Sequence, residues 1–351
     1  MITKMQHERA RSLVKKYGQN PTSYLALEND KHLYFGTKVE GVIAYGIVGK
    51  VVIICGDPIC AQDDFLNLLK EFKSWYEEYS FQCIFLGTTD VFIKQYMMLG
   101  YRHLSYGEEA RFHLASYQLS GKQMRKMRER INHANEAGLT THEYKFKESR
   151  DPAIEEEFHS ISEHWLQSKN NVQLKFTIGS VGLENPMDRR YFYARNTEGR
   201  IIAFHVFTPF AGMNGYTAEI TQRLPEAPRS VTEKINYEAF MKFKDEGVEW
   251  GSLGLAPLAN IRKQGEKHNV FSLVYEIGNR FFGFKTLHQA KRKYNPTMWV
   301  PGYCMISTKN ITPRMMYAIF RIQNPGNIKD YFRNILFKER TNRQYTTCLE
   351  G

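Results

Sequence analysis

GVIAYGIVGKVVIICGDPICAQDDFLNLLKEFKSWYEEYSFQCIFLGT, residues 41–88, decides the fold. Its first third is rich in Val, Ile and Tyr and punctuated by Gly. That composition predicts two short strands joined by a turn. At Asp63-Asp64 the pattern changes. A capping carboxylate precedes FLNLLKEFKSWYEEY, whose apolar residues recur at three-and-four spacing and predict a helix. QCIFLGT then returns to strand composition.

Upstream, residues 1–20 read as an amphipathic helix ending at Gly18, and TSYLAL and HLYFGT as further strands. Downstream, a helix around VFIKQYMMLGY leads to a strand in EEARFHLASY. Meander, helix, strand, helix, strand is the order of an acetyltransferase-like (GNAT-type) α/β lobe. From residue 139 the same order recurs. The strand THEYKF leads to the helix EEEFHSISEHWLQ. The strands YFYARN, RIIAFHVF and GYTAEIT precede the helix TEKINYEAFMKFKDEG and the strand WGSLGL. A helix near NVFSLVYEIGNRFFG and the strand TMWVPGYCMIS close it. The expectation is an α/β (α+β) chain of tandem lobes, each a mixed central sheet flanked by helices. The first lobe is 1–119, a basic connecting helix 120–138, the second lobe 139–308, and a basic amphipathic tail 309–351.

A length of 351 residues favours two domains. The hydrophobic share of 42% suffices for folded cores. Lys and Arg number 48 against 37 acidic residues, a net charge of +11. That surplus reads as affinity for a polyanion, nucleic acid or an anionic membrane face, or simply as a solvated basic surface. No apolar run reaches the roughly 20 residues of a membrane helix. The N-terminus lacks a signal peptide's apolar stretch. Cys55, Cys60, Cys83, Cys304 and Cys348 form no metal spacing and fit a reducing compartment. The expected location is the cytoplasm, peripheral at the inner face of the membrane. The tail carries eight basic residues against three acidic, with Tyr331, Phe332, Ile335, Leu336 and Phe337 close together. It reads equally as a membrane-surface helix or as one packed on the domain.

The GxxxxGK[ST], HExxH and GxSxG signatures are absent. So is the glycine loop that holds the pyrophosphate of acetyl-CoA at a helix start. Local constellations remain. Gly56-Asp57-Pro58 ends a strand in a turn. Glu108 and Glu109 enter a strand side by side, so one faces inward and needs a base, unless the pair lies on a solvated edge. Lys122, Arg125, Lys126, Arg128 and Arg130 lie over two turns of a helix, with 122, 125, 126 and 129–130 sharing one side, suited to phosphate or to solvent. Glu219 sits on a strand and Glu233 at a helix start. Gly254-Leu255-Ala256-Pro257-Leu258 ends a strand. Lys285, Lys291 and Lys293 form a second basic cluster. Carboxylates at strand ends can hold an α-ammonium group, and a lysine can steady the oxyanion of ester attack.

In order, GDPI, GEEARFHLASYQLSGK, RKMRERINHANEAG, ISEHWL, AFHVF, LGLAPLAN and FGFKTLHQAKRKYNP-x-x-W resemble the catalytic domain of the phosphatidylglycerol lysyl- and alanyltransferases, the multiple peptide resistance factor (DUF2156-like) family. The resemblance covers about residues 30–307. It implies a tandem acetyltransferase-like fold with a tunnel, and transfer of lysine or alanine from aminoacyl-tRNA to the hydroxyl of phosphatidylglycerol. It implies a stand-alone form without the membrane flippase part, no cofactor and no metal. It places the family's acidic positions on Glu219 and Glu233, its strand Arg on Gln222 with Arg223 adjacent, and its terminal lysines on Lys285, Lys291 and Lys293. The expected catalytic set is Glu219, Lys293 and Glu233. Gln222, Arg223, Lys285, Lys291 and Glu109 bind substrate, and the basic helix binds tRNA. The partners are aminoacyl-tRNA and an anionic phospholipid surface. A peptide or other non-lipid acceptor, and a non-catalytic RNA- or membrane-binding module, are the alternatives.

Overall fold

The computed structural model describes residues 3–168, 176–257 and 284–323. Helix α1 (Lys4–Tyr17) begins in a capping box between Thr3 and Gln6. Strands β1 (His32–Phe35), β2 (Gly41–Val48) and β3 (Val51–Cys55) form the meander, with β4 (Ile59–Cys60) against β2. Helix α2 (Phe65–Glu78) then crosses to β5 (Gln82–Thr88), which pairs parallel to β3. Leu68, Leu69, Phe72 and Tyr76 of α2 are buried against the sheet, the face their spacing predicts. Helix α3 (Ile93–Met98) and β6 (Arg102–His113) complete this half.

The second half opens with α4 (Arg125–Glu136), β7 (Thr140–Tyr144) and α5 (Pro152–Ser168). Strands β8 (Arg190–Arg195), β9 (Ile201–Phe210) and β10 (Gly215–Arg223) make the second meander, and α6 (Ser230–Asp245) crosses to β11 (Trp250–Pro257), parallel to β10. Among the described residues α7 (Phe284–Arg292), β12 (Met298–Ile306) and α8 (Pro313–Gln323) follow. The expected helix near residues 269–283 and the tail beyond 323 lie outside the described residues. No described helix is long and apolar enough to cross a membrane.

The tandem acetyltransferase-like α/β order expected from the sequence is the one observed, with one correction. The halves do not keep separate sheets. A single path runs β1-β2-β3-β5-β12-β6-β11-β10-β9-β8-β7. Strand β12, expected to close the second lobe, pairs antiparallel with β5 and β6 of the first half. Strand β6 in turn pairs antiparallel with β11 of the second. Each half's last strand therefore completes the other's sheet. Strand composition does not encode which half a strand joins.

Two local expectations also change. TSYLAL lies in a 3-10 helix, Pro21–Leu27, because Asn20 caps the Thr22 N–H at 3.0 Å and Pro21 presets the first turn. The basic helix starts at Arg125, so Lys122 sits in the turn before it.

Candidate active site

Strands β10 and β11 pair only from Gly215↔Trp250 to Thr217↔Ser252, and then part. Two irregularities lie at the parting. Strand β10 bulges against β9 between Ala218 and Ile220, which sets Glu219 out of register. Strand β11 bulges against β6 between Ser252 and Leu255, and Gly254 takes φ +72° there. Bulges re-aim side chains, and a left-handed residue in one suits glycine.

Lys291, in the last turn of α7, fills the parting. It is 8% exposed, and its Nζ donates to the carbonyls of Gly254 at 2.9 Å and Leu255 at 2.8 Å. A Cβ on Gly254 would sit 3.9 Å from both Lys291 Nζ and Thr217 Oγ1. Burial lowers the Lys291 ammonium from 10.5 to about 7, against the pull of the Glu109 and Glu219 carboxylates. Lys291 thus bears both charge states near neutrality.

Glu219 accepts the Gly179 N–H at 3.0 Å and the Thr208 hydroxyl at 3.1 Å. Desolvation raises its carboxyl above the ordinary value, opposed chiefly by the Gly179 amide. One residue along, Glu28 accepts the Ser180 N–H and hydroxyl at 3.1 and 2.7 Å and pairs with buried Arg189 at 2.6 Å. Glu28, which follows the first half's 3-10 helix, therefore holds the chain that aims an amide at Glu219. Glu109 faces inward on β6 and meets its base in Arg111, with bonds of 3.0 and 2.7 Å.

The structure thus gathers Glu219, Lys291 and Glu109. It pairs Glu233, 3% exposed in the first turn of α6, with Lys293. Beside them Tyr294 accepts from Asn236 Nδ2 at 3.2 Å, and Asn236 Oδ1 meets His205 Nδ1 at 2.8 Å. Since the Asn236 amide donates to Tyr294, its oxygen accepts the His205 Nδ1–H. Burial lowers His205 to about 4, so the ring is neutral.

Other expected site residues have partners elsewhere. Gln222 accepts the Ser162 hydroxyl at 2.6 Å and ties α5 to the sheet. Arg223 donates to the carbonyls of Leu224 at 3.2 Å and Ala227 at 2.7 Å, bracing the turn that follows. Lys285 lies on α7, its side chain outside the described residues, as does Leu258. Lys122, Lys126 and Arg130 are exposed, as is Arg125, which pairs with Glu129 at 3.3 Å. Arg128 is half-buried and donates to the carbonyls of Leu119 and Gly121. No cluster of three or more metal-ligating side chains occurs among the described residues.

Residues 11–306 match the family model described as phosphatidylglycerol lysyltransferase, C-terminal. The chain belongs to that family. Beyond the family model, a phosphatidylglycerol lysyltransferase of Staphylococcus haemolyticus (strain JCSC1435) is 24% identical over 317 residues, 90% of this chain but 37% of the relative. The chain therefore spans little over a third of the curated relatives it matches. The structure of L-PGS from Bacillus licheniformis superposes with a TM-score of 0.77 at 23% identity, covering 90% of this chain and 96% of that one. A C-terminal (DUF2156) domain from Agrobacterium fabrum gives 0.75 at 24%, covering 86% and 92%. The phosphatidylglycerol lysyltransferase C-terminal fold is thus shared at low identity. Glu28, Arg189, Gly179 and Thr208 were missed in the sequence, where Glu28 in LALEND reads only as turn composition.

Proposed function

We propose that this chain transfers an aminoacyl group from aminoacyl-tRNA to a hydroxyl of phosphatidylglycerol or a similar membrane lipid. The observation that carries the proposal is the buried Lys291 amine, bonded to the Gly254 and Leu255 carbonyls and acted on by the Glu109 and Glu219 charges, where β10 and β11 part. Family membership and the relatives' names support lysine as the donated group.

A neutral lysine amine has two N–H donors and one lone pair. The Gly254 and Leu255 carbonyls take both donors. The lone pair is left to accept the proton of the acceptor hydroxyl. The hydroxyl oxygen then bonds to the ester carbonyl carbon. Once protonated, Lys291 has a third N–H for the oxyanion, and it returns the proton to the ribose oxygen as the bond from carbon to that oxygen breaks. A base with a pKa near the working pH suits this exchange. Glu219 holds the donor's ammonium group. Lys293, expected from sequence to meet the oxyanion, is paired with Glu233, which supports a positioning role beside Tyr294. Exposed Lys122, Arg125, Lys126 and Arg130 contact the tRNA backbone. The chain works at the cytoplasmic face of the membrane.

The test supplies the purified chain with labelled lysyl- or alanyl-tRNA and phosphatidylglycerol vesicles. Label is expected in the lipid fraction, and Glu219→Ala should remove it. Label passed only to a peptide or another soluble acceptor would replace the lipid assignment.

A further inference from the structure

Helix α8 (Pro313–Gln323) begins beyond the residues matched by the family model, which end at 306. Its last residue still reaches the candidate active site, through one short segment of chain. We propose that Gln323 is a positioning residue: it fixes Thr177 so that the Gly179 amide, two residues on, meets the Glu219 carboxylate. The inference rests on the reading of Glu219 as holder of the donor's ammonium group and deepens it.

The contacts form a continuous path. Gln323 is 5% exposed. Its Oε1 accepts the Thr177 N–H at 3.3 Å, and its Nε2 donates to the Thr177 hydroxyl at 2.8 Å. Glu219 accepts the Gly179 N–H at 3.0 Å, and Glu28 accepts the Ser180 N–H at 3.1 Å. Two residues of chain span at most about 7 Å. A displacement of Thr177 therefore passes to the Gly179 amide with little slack between them.

Packing places the pair as firmly as its bonds do. Met315 and Ala318 of α8 are buried with Val51 and Ile53 of β3 and Ile84 and Leu86 of β5. Val52, Ile54, Cys83 and Phe85, which alternate with them, pack with α2, so α8 covers the other face of the sheet. Phe176, 1% exposed, lies in the α8 cluster. Gly46 of β2 makes room for the residue before each partner. A Cβ there would lie 2.4 Å from Ile322 Cδ1 and 2.8 Å from Phe176 Cε2. From the first half, the Lys31 ammonium lies 4.0 Å from the centre of the Phe176 ring.

The charge at the end of the path makes this more than a fold contact. Burial disfavours the Glu219 anion, and the Gly179 amide is the chief group opposing that. An amide aimed at a carboxylate makes a charge-assisted bond, which weakens as its alignment is lost. The anion that receives the ammonium group then weakens with it.

Gln323→Leu removes both bonds at similar volume, Thr177→Val removes the hydroxyl alone, and Thr177→Ser keeps both bonds. Transfer is measured while lysyl-tRNA and phosphatidylglycerol vesicles are varied separately. Gln323→Leu is expected to raise the lysyl-tRNA KM about 3- to 10-fold, the worth of one or two hydrogen bonds, with kcat and the vesicle KM near wild type. Thr177→Val should fall between, and Thr177→Ser close to wild type. Filter binding of lysyl-tRNA and of uncharged tRNA adds a readout that needs no transfer. The wild type should prefer the charged form, and Gln323→Leu should narrow that preference without weakening uncharged tRNA. Hydrogen exchange read by mass spectrometry should quicken in residues 176–181. Quicker exchange there with an unchanged lysyl-tRNA KM and an unchanged preference makes Gln323 a fold contact only and overturns the proposal. A loss with Thr177→Ser as large as with Gln323→Leu overturns it too, as does a wild type that binds both tRNAs alike. If the wild type forms no aminoacyl lipid but prefers charged tRNA, and Gln323→Leu loses that preference, the positioning stands and the transfer reading fails. If Gln323→Leu does not fold, Thr177→Val decides by the same measurements.

Discussion

Replacing Lys291 with Met removes an amine and leaves a side chain of similar length, and it should separate the lysine's cost to folding from its use in catalysis. Burial moves the ammonium from 10.5 to about 7. At 1.36 kcal/mol per unit, that gap opposes folding by about 5 kcal/mol while both states are protonated. The folded state releases its proton near pH 7 and the unfolded chain only near 10.5. Between those values the unfolded chain binds more protons, so wild-type stability rises with pH. Methionine has no such dependence. It leaves the Gly254 and Leu255 carbonyls without their donor, at about 1–3 kcal/mol each, so the two proteins should differ by only a few kcal/mol near pH 7. Urea unfolding from pH 6 to 10 should show the wild type gaining on the variant by up to roughly 1.4 kcal/mol per pH unit above pH 7.5. A difference that does not change with pH would refute the burial argument. Transfer by the variant should fall about 10²- to 10⁴-fold, the usual contribution of a general base.

Four further variants test the geometry. Glu219→Gln keeps an oxygen for the Gly179 amide and sets its NH2 against the Thr208 hydroxyl, which can accept in place of donating, but it loses the charge, so the fold should persist while KM for charged tRNA rises. Because the Glu219 carboxyl is raised, its ionisation costs stability as pH climbs past the ordinary carboxylate range. The glutamine variant should therefore gain on wild type in unfolding midpoint as pH rises above the ordinary carboxylate value of 4.5. Glu28→Ala leaves Arg189 buried without its carboxylate, a loss of about 3–5 kcal/mol in denaturant unfolding. Arg125→Glu with Lys126→Glu should weaken tRNA binding in filter assays and flatten its salt dependence without lowering thermal stability. Arg128→Ala should lower the melting temperature instead, since Arg128 braces the loop at Leu119 and Gly121.

Much of the fold was legible because strand and helix periodicities differ. The α2 stripe of Leu68, Leu69, Phe72 and Tyr76 and the apolar run of β9 carry their own signals. The exchange of β6 and β12 was not legible, since both strands match either sheet in composition. TSYLAL looked like a strand because Tyr and Leu are common in strands. The Asn20-Pro21 start overrode that preference. Within the site, charge type was readable and partnership was not. One of Glu108 and Glu109 was expected to face inward and meet a base, unless the pair lay on a solvated edge, and the inward one is Glu109, with Arg111 two residues on as its base. Lys291 and Lys293 look equivalent in KRKY, yet one enters the strand parting and the other pairs with Glu233. Only the bulges at Glu219 and Gly254 distinguish them, and bulges leave little mark on composition.

The most direct measurement is single-turnover transfer of labelled lysine from lysyl-tRNA into phosphatidylglycerol vesicles between pH 5.5 and 8.5. Label should enter the lipid, with a rate that climbs through a midpoint near pH 7 as Lys291 loses its proton. Absence of labelled lipid at every pH, or a wild-type rate with Lys291→Met, would contradict the account.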